Sequence, residues 1–331
     1  MAKRNITDLG VAPDGKVFQS IKIGLGGLSA RILTFGAALQ SLRLGGHYHS
    51  VVLGYADPTD YFDNPGYLGA IVGRYANRIA DGRFTLEGRT HQLDRNEAGV
   101  QCLHGGSQGT GVRSWQVLDS GEDHVTLGLS LADGHMGFPG AIDLRCRYAT
   151  RGSTLTILLT GRSDMPTYCN LASHAYYNLT GEDTIAAHKL GLTAEQYLPV
   201  DDRKIPLGHP EDVAGTSFDF LTPRRLSAPV DHNFCRARAR TALGPAATLE
   251  AGGLRMTLET TEPGVQVYDG AALGRSGRRG LTGAPYAAHA GLALEPQAWP
   301  DAPNQPWAAQ ARLDPGETWR SETRLSFTRA D

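Results

Sequence analysis

An all-β chain folded as a large antiparallel sandwich is what the 331 residues predict. Three observations carry this expectation. Apolar residues alternate with period two from end to end, helical periodicity is hard to find, and turn signals separate the alternating runs. Val17, Gln19, Ile21 and Ile23 fall on one face of KVFQSIKI, and Val125, Leu127, Leu129 and Leu131 on one face of HVTLGLSL. The same reading fits Ile142, Leu144, Cys146 and Tyr148 in IDLRCRY, Leu155, Ile157 and Leu159 in TLTILL, and Leu254, Met256 and Leu258 in LRMTLE. Leu325 and Phe327 in TWRSETRLSF carry the pattern almost to the C-terminus, so the final residues are expected in a sheet. LEGR, ADGH, TRGS and TEPG supply turns between runs, in keeping with 41 Gly and 18 Pro. No Ser/Gly-rich or charged linker and no fixed repeat divides the chain, so residues 1–331 read as one domain. Thr59 to Gly82 and Pro199 to Pro229 are long loops, and loops of that length usually serve function.

A net charge of -2 offers no electrostatic footprint for nucleic acid or an anionic membrane. The expected partner is therefore a small molecule not selected by charge. MAKRNITDLGVAPDGK has no apolar core behind its basic residues, and no run is long enough to span a bilayer. Cys102, Cys146, Cys169 and Cys235 are scattered, which suits reduced thiols in a cytoplasmic protein.

The polar residues that stand out have bland and functional readings side by side. Arg74 and Arg78 in GRYANRIADGRF are solvated loop charges or donors to hydroxyls and carboxylates. His104 in CLHGG precedes a flexible turn where a ligand could approach the backbone. Cys102 and His104 lack a second pair at zinc-like spacing, so no metal is expected there. His47 and His49 in GGHYHS have no glutamate close behind them, and an exposed hairpin turn is expected. His174 in CNLASHAYYNLTG is a structural strand histidine or a proton-transfer group amid Tyr176, Tyr177 and Asn178. Asp231 and His232 in DHNF form an Asx turn or supply a carboxylate that orients hydroxyls or holds Arg78. GLGGLS fails the dinucleotide fingerprint, and GRSGRRG lacks the context of a phosphate loop and is expected to be solvated and mobile. Glu295 closes the apolar run GLALE and opens a proline-rich stretch to Pro306 that is expected to be rigid. No cofactor or metal is called for by this set, and its histidines and carboxylates can transfer protons.

Taken in order, GRYANRI, LHGG, SHAYYNL, DHNF, VQVYDG and LALEPQAWPDAPN resemble the motif series of the aldose 1-epimerases, the galactose mutarotase family. The resemblance implies a β-supersandwich with a sugar in an open cleft. It implies Glu295 as general base and His174 as general acid in ring opening and reclosure of a free aldose. Arg78, His104, Asp231 and Gln266 match sugar-binding positions, and Asn77, Asn178 and Tyr176 lie inside the same motifs. Two departures concern specificity: Tyr177 adds a second Tyr hydroxyl after the histidine, and Asp269 stands where a Thr is common. A monomer or weak homodimer is expected. The rival readings are a non-catalytic sugar-binding module using the same cleft and a glycoside hydrolase using Glu295 with Asp231.

Overall fold

A computed structural model describes residues 5–24 and 26–330. The first four residues of the MAKRN start, Leu25 of GLGGLS and Asp331 lie outside the described residues. Strand pairing is antiparallel throughout the named sheets, as short hairpin connections dictate. The LEGR turn is an instance: Glu87 and Gly88 both take positive φ (50° and 73°), the two-residue geometry whose twist matches the flanking strands Arg83–Leu86 and Arg89–Gln92. GLGGLS likewise joins two antiparallel strands, Val17–Ile23 and Leu28–Leu33.

An eight-stranded sheet runs in the spatial order Gln116–Ser120, His124–Leu131, Ile142–Arg151, Thr154–Ser163, Trp319–Arg329, Leu254–Thr260, Gly244–Ala251, Lys189–Leu192. The last strand of the chain sits between strands from the middle and the late sequence, so it ties them together. Its alternation is the one the sequence predicts, with Leu325 and Phe327 buried. A four-stranded sheet (Ile6–Val11, Val17–Ile23, Leu28–Leu33, Leu39–Leu44) and a six-stranded sheet share one apolar core with it. The six-stranded sheet orders Tyr176–Tyr177, Leu292–Gln297, Gly264–Tyr268, Asp231–Cys235, Gln196–Tyr197 and Glu211–Asp212. Among the described residues helical geometry is confined to 3-10 turns of three to six residues. No helix there is long and apolar enough to cross a membrane.

Strand Val17–Ile23 corrects one expectation. Ile21 and Ile23 face the main core, but Val17 is 55% exposed and Gln19 only half-buried, while Phe18 on the opposite face is buried. The reason is a satellite apolar cluster: Phe18 packs on Phe62 with ring centroids 4.9 Å apart and shares that cluster with Leu33 and Phe35. Both faces of this strand meet protein, so its period-two signal is split. The GGHYHS turn closes against Val51, whose N–H donates to the Leu42 carbonyl; the His47 N–H donates to the Leu44 carbonyl, and the His49 ring meets the Leu179 carbonyl.

Period two matters most in the six-stranded sheet. Leu292 and Leu294, Val265 and Val267, Phe234 and Tyr177 point into the core. Ala293 and Glu295, Gln266 and Tyr268, Asp231 and Tyr176 therefore point the other way. Leu294 is fully buried between the sheets, so Leu294→Ala is expected to cost about 2–5 kcal/mol. Urea denaturation would read this as a lower midpoint at unchanged slope, and a midpoint equal to that of the parent chain would contradict the core placement.

Candidate active site

The outward residues of the six-stranded sheet form the floor of a cleft of about 400 Å³, within the size range of small-molecule sites. Gln266 lies opposite Glu295 in the strand pairing, and Tyr268 opposite both Ala293 and Asp231. His174 reaches the same floor just after strand Ala172–Ser173, which pairs with Ile71–Val72, and its own N–H donates to the Ala70 carbonyl. Its Nε2 lies 3.6 Å from Glu295 Oε1, both side chains being buried. Glu295 Oε2 is buried without a hydrogen-bond partner. A polar oxygen left so is the acceptor a bound hydroxyl would satisfy.

Backbone outside the sheet builds the cleft wall. Asn77 (φ 64°) and His104 (φ 51°) clasp each other: the His104 N–H donates to the Asn77 carbonyl, and the Asn77 N–H donates to His104 Nδ1 at 3.1 Å. Because Nδ1 accepts, the imidazole proton sits on Nε2. The first glycine of LHGG is required by two constraints. Gly105 has φ 84°, and a Cβ there would lie 2.0 Å from the Gly73 carbonyl oxygen. Arg78 donates from Nε and Nη2 to the two Glu97 oxygens, each at 2.8 Å, and its Nη1 is 4.0 Å from Asp231 Oδ2. Gln266 Nε2 donates to Asp231 Oδ1 at 2.7 Å.

Burial sets the protonation of this group. Desolvation lifts the Glu295 carboxyl well above the usual range; Asp231 adds to the rise and Arg78 opposes it. Desolvation also takes His174 down to about 4. His104 is driven well below its ordinary value by desolvation, with smaller contributions from His174 and Arg78. Between the lowered His174 value and the raised Glu295 value the pair holds one proton.

Of the residues singled out from sequence, Asn77, Arg78, His104, His174, Tyr176, Asp231, Gln266 and Glu295 line this cleft. Asn178 does not. Its amide donates to Glu182 and Ala290 carbonyls, and its oxygen accepts from Thr180 and Gly181, so it caps the turn after the strand. Tyr177 faces the core by strand parity and adds no hydroxyl to the cleft. Arg74 is buried elsewhere, donating to the Pro139 and Gly140 carbonyls. Asp269 anchors loop backbone through the Ala271 and Val230 N–H groups. Trp299 is buried behind the site with its indole N–H on Pro263. The stretch from Pro296 to Pro303 is buried throughout.

A sequence model of the aldose 1-epimerase family matches residues 19–326. An aldose 1-epimerase of Escherichia coli K12 is 35% identical over 96% of this chain and 97% of its own length. A galactose mutarotase of Mus musculus is 36% identical over 91% of each chain. The chain belongs to the aldose 1-epimerase family. Among solved structures, a galactose 1-epimerase from Lactobacillus acidophilus NCFM superimposes with a TM-score of 0.87 at 27% identity, covering 99% of both chains. An aldose epimerase homologue from C. elegans gives 0.88 at 27% identity, covering 95% of this chain and 100% of that one.

In this aldose 1-epimerase family member three contributors to the cleft escaped the sequence reading. Tyr67 lines it with its ring 4.6 Å from that of His104 and 5.8 Å from that of His174. Glu97 holds Arg78. The GRSGRRG loop is largely solvated as expected, with Gly274, Arg275, Ser276, Gly277 and Arg279 exposed, yet it also contributes to the site: Arg278 pairs with Asp60 and Asp63, while Gly274, Arg275 and Ser276 form part of the rim. Those contacts span more than two hundred residues, and local composition carries no signal of them. His104, His174 and Glu295 bring ligand-type atoms within 4.8 Å of one another, but His104 Nδ1 already accepts from the Asn77 N–H and its Nε2 carries the proton, so this trio is a hydrogen-bonding group and not a cation site.

The Glu295 burial has a measurable consequence. Its folded pKa lies above the unfolded value, so the folded state carries no penalty from it below about 4.3 and a growing one as pH rises. Glu295→Gln is accordingly expected to raise stability at neutral pH and to leave it unchanged in acid. Thermal unfolding at both pH values checks this, and a destabilised variant at neutral pH would contradict it.

Proposed function

We propose that this isomerase interconverts the α and β anomers of a free aldose such as galactose or glucose, with Glu295 and His174 exchanging protons with the sugar. The observation that carries the assignment is the buried Glu295–His174 pair, 3.6 Å apart on the floor of the cleft. Glu295 takes the proton of the C1 hydroxyl while protonated His174 delivers one to the ring oxygen. The bond from C1 to the ring oxygen breaks, C1 becomes a carbonyl, and the pair's proton has moved from His174 to Glu295. Rotation about C1–C2 presents the other carbonyl face, and the same transfers in reverse close the ring as the other anomer. Arg78 and the His104 Nε2–H stabilise negative charge developing on the sugar oxygens, while Asp231 and Gln266 orient hydroxyls. Tyr67 and Tyr176 flank the ring faces.

The whole chain works as one unit in this reading, since cleft residues run from Tyr55 to Glu295. Free thiols at Cys102, Cys146, Cys169 and Cys235 support a cytoplasmic setting.

Polarimetry on freshly dissolved α-galactose and α-glucose tests the activity. Acceleration over buffer is expected, and Glu295→Gln and His174→Asn should each lower kcat/KM by ~10²-fold or more. Sugar binding without acceleration would favour the binding-module alternative.

The pH profile is a separate expectation. Below the His174 pKa of about 4 the pair holds two protons and no base remains; above the raised Glu295 pKa it holds none and no acid remains. kcat/KM should therefore stay flat between these two limits, with its acid limb near 4. An acid limb near the ordinary imidazole value of about 6.5 would overturn the one-proton assignment.

A further inference from the structure

We propose that Glu97 is a positioning residue that holds the Arg78 guanidinium edge-on to the cleft and sets how much positive charge reaches the Glu295–His174 pair. The inference rests on the proposed function and extends it to a residue outside the family motifs. Its basis is geometric. Glu97 takes both the Nε and Nη2 edges of Arg78 in a fork, leaving Nη1 as the corner directed at Asp231. Arg78 is 14% exposed and Glu97 27%, so solvent screens this pair only partly.

The clamp is itself built in. Glu97 and Gln101 bracket a tight turn in which the Val100 N–H donates to the Glu97 carbonyl across Ala98 (φ 54°) and Gly99 (φ 69°). Gln101 Nε2 donates to Glu97 Oε2 and to the Arg203 carbonyl, so the carboxylate is held from behind. Asn96 fastens the same turn to Leu103 through both its amide groups. Leu103 in turn pairs with Arg78 in the short ladder that precedes His104. The Arg78 side chain is thus held by the eight-residue segment Asn96 to Leu103, while its backbone N–H donates to Asn77 Oδ1 and its carbonyl accepts from the Asp301 N–H.

Charge gives the clamp its second role. The ionisable groups around Glu295 are His174, His104, Arg78, Asp231 and Tyr176, with Tyr177 on the core side and Tyr67, Tyr268 and Arg275 elsewhere on the cleft lining. Of these Arg78 is the cation that acts on Glu295, and it favours the ionised carboxylate. Glu97 offsets much of that cation from its far side. Without it, Arg78 is free to rotate toward Asp231, and its charge acts on Glu295 unopposed.

The test compares the parent chain with Glu97→Gln, in steady-state mutarotation and in infrared titration of the sugar-free protein. The carboxyl band that Glu295→Gln abolishes identifies the residue. Glu97→Gln is expected to lower kcat/KM about ten- to a hundredfold, the scale of a lost charged hydrogen bond. It should also move both the Glu295 infrared titration and the alkaline limb to lower pH. Gln101→Glu adds a carboxylate at the same clamp and should move the titration to higher pH, which keeps the proposal testable if Glu97→Gln fails to fold. Parent-like rate and titration in Glu97→Gln would overturn the proposal, as would a slower variant whose titration is unmoved. A parent chain that does not accelerate mutarotation would defeat the proposed function, while the infrared titration would still decide the role of Glu97.

Discussion

The constraint on which the site depends is the burial of one carboxyl group. Glu295 sits on a strand whose neighbours Leu292 and Leu294 are locked into the core, and period two leaves its side chain no direction but the cleft floor. There it is 2% exposed, in a position where ionisation is costly. Arg78 favours the charged form and Asp231 opposes it. The cost is tolerated because the sheet beneath is anchored on both sides: Gly264–Tyr268 pairs with Leu292–Gln297 along its full length, and Tyr176–Tyr177 closes the other edge.

Opposite this rigid floor, the remaining groups come from backbone that the sheets do not regularise. Asn77 and His104 both adopt left-handed conformations, uncommon for residues with side chains, and each stabilises the other through two hydrogen bonds. Strain of that kind persists only where surrounding structure over-determines it. Here the short ladder Arg78–Ile79 with Cys102–Leu103, the close packing of Gly105 on Gly73 and the Asn96 clasp all do so. The strand floor supplies the proposed proton-transfer pair, and the strained corner supplies the proposed electrostatic donors.

How far the sequence was legible follows from the range of each interaction. Strands His124–Leu131, Ile142–Arg151 and Trp319–Arg329 could be read because one face meets the core and the other solvent. Val17–Ile23 was misread because a second cluster buries the opposite face. Glu295, His174, Arg78 and His104 lie in motifs whose order survives in the sequence. Asn178 shares a motif with His174 yet caps a turn, and motif membership alone does not separate the two roles. Tyr177 was separable from Tyr176 by parity once the strand was placed, since successive side chains oppose. Glu97 and the rim loop were not, because a fork to Arg78 or a pair with Asp60 leaves no mark on local composition.

The same burial explains why a carboxyl and an imidazole suit a reaction that runs both ways. In water a shared proton prefers imidazole over a glutamate carboxylate by about 2 pKa units, or roughly 3 kcal/mol. A pair with that bias would deliver a proton in one direction and recover it poorly in the other. Burial penalises the ionised carboxylate and the ionised imidazole alike, raising Glu295 and lowering His174. The two shifts run in opposite directions but act in the same sense on the bias, and together they remove the preference for imidazole. In the reaction we propose, a bound sugar then acts on the proton's position, because a C1 hydroxyl donating to the unpartnered Glu295 Oε2 favours the carboxylate and returns the proton to His174. Ring opening moves it back to Glu295, and closure to His174. Without the apolar strand that buries Glu295, the carboxylate would be hydrated and the proton would remain on the histidine.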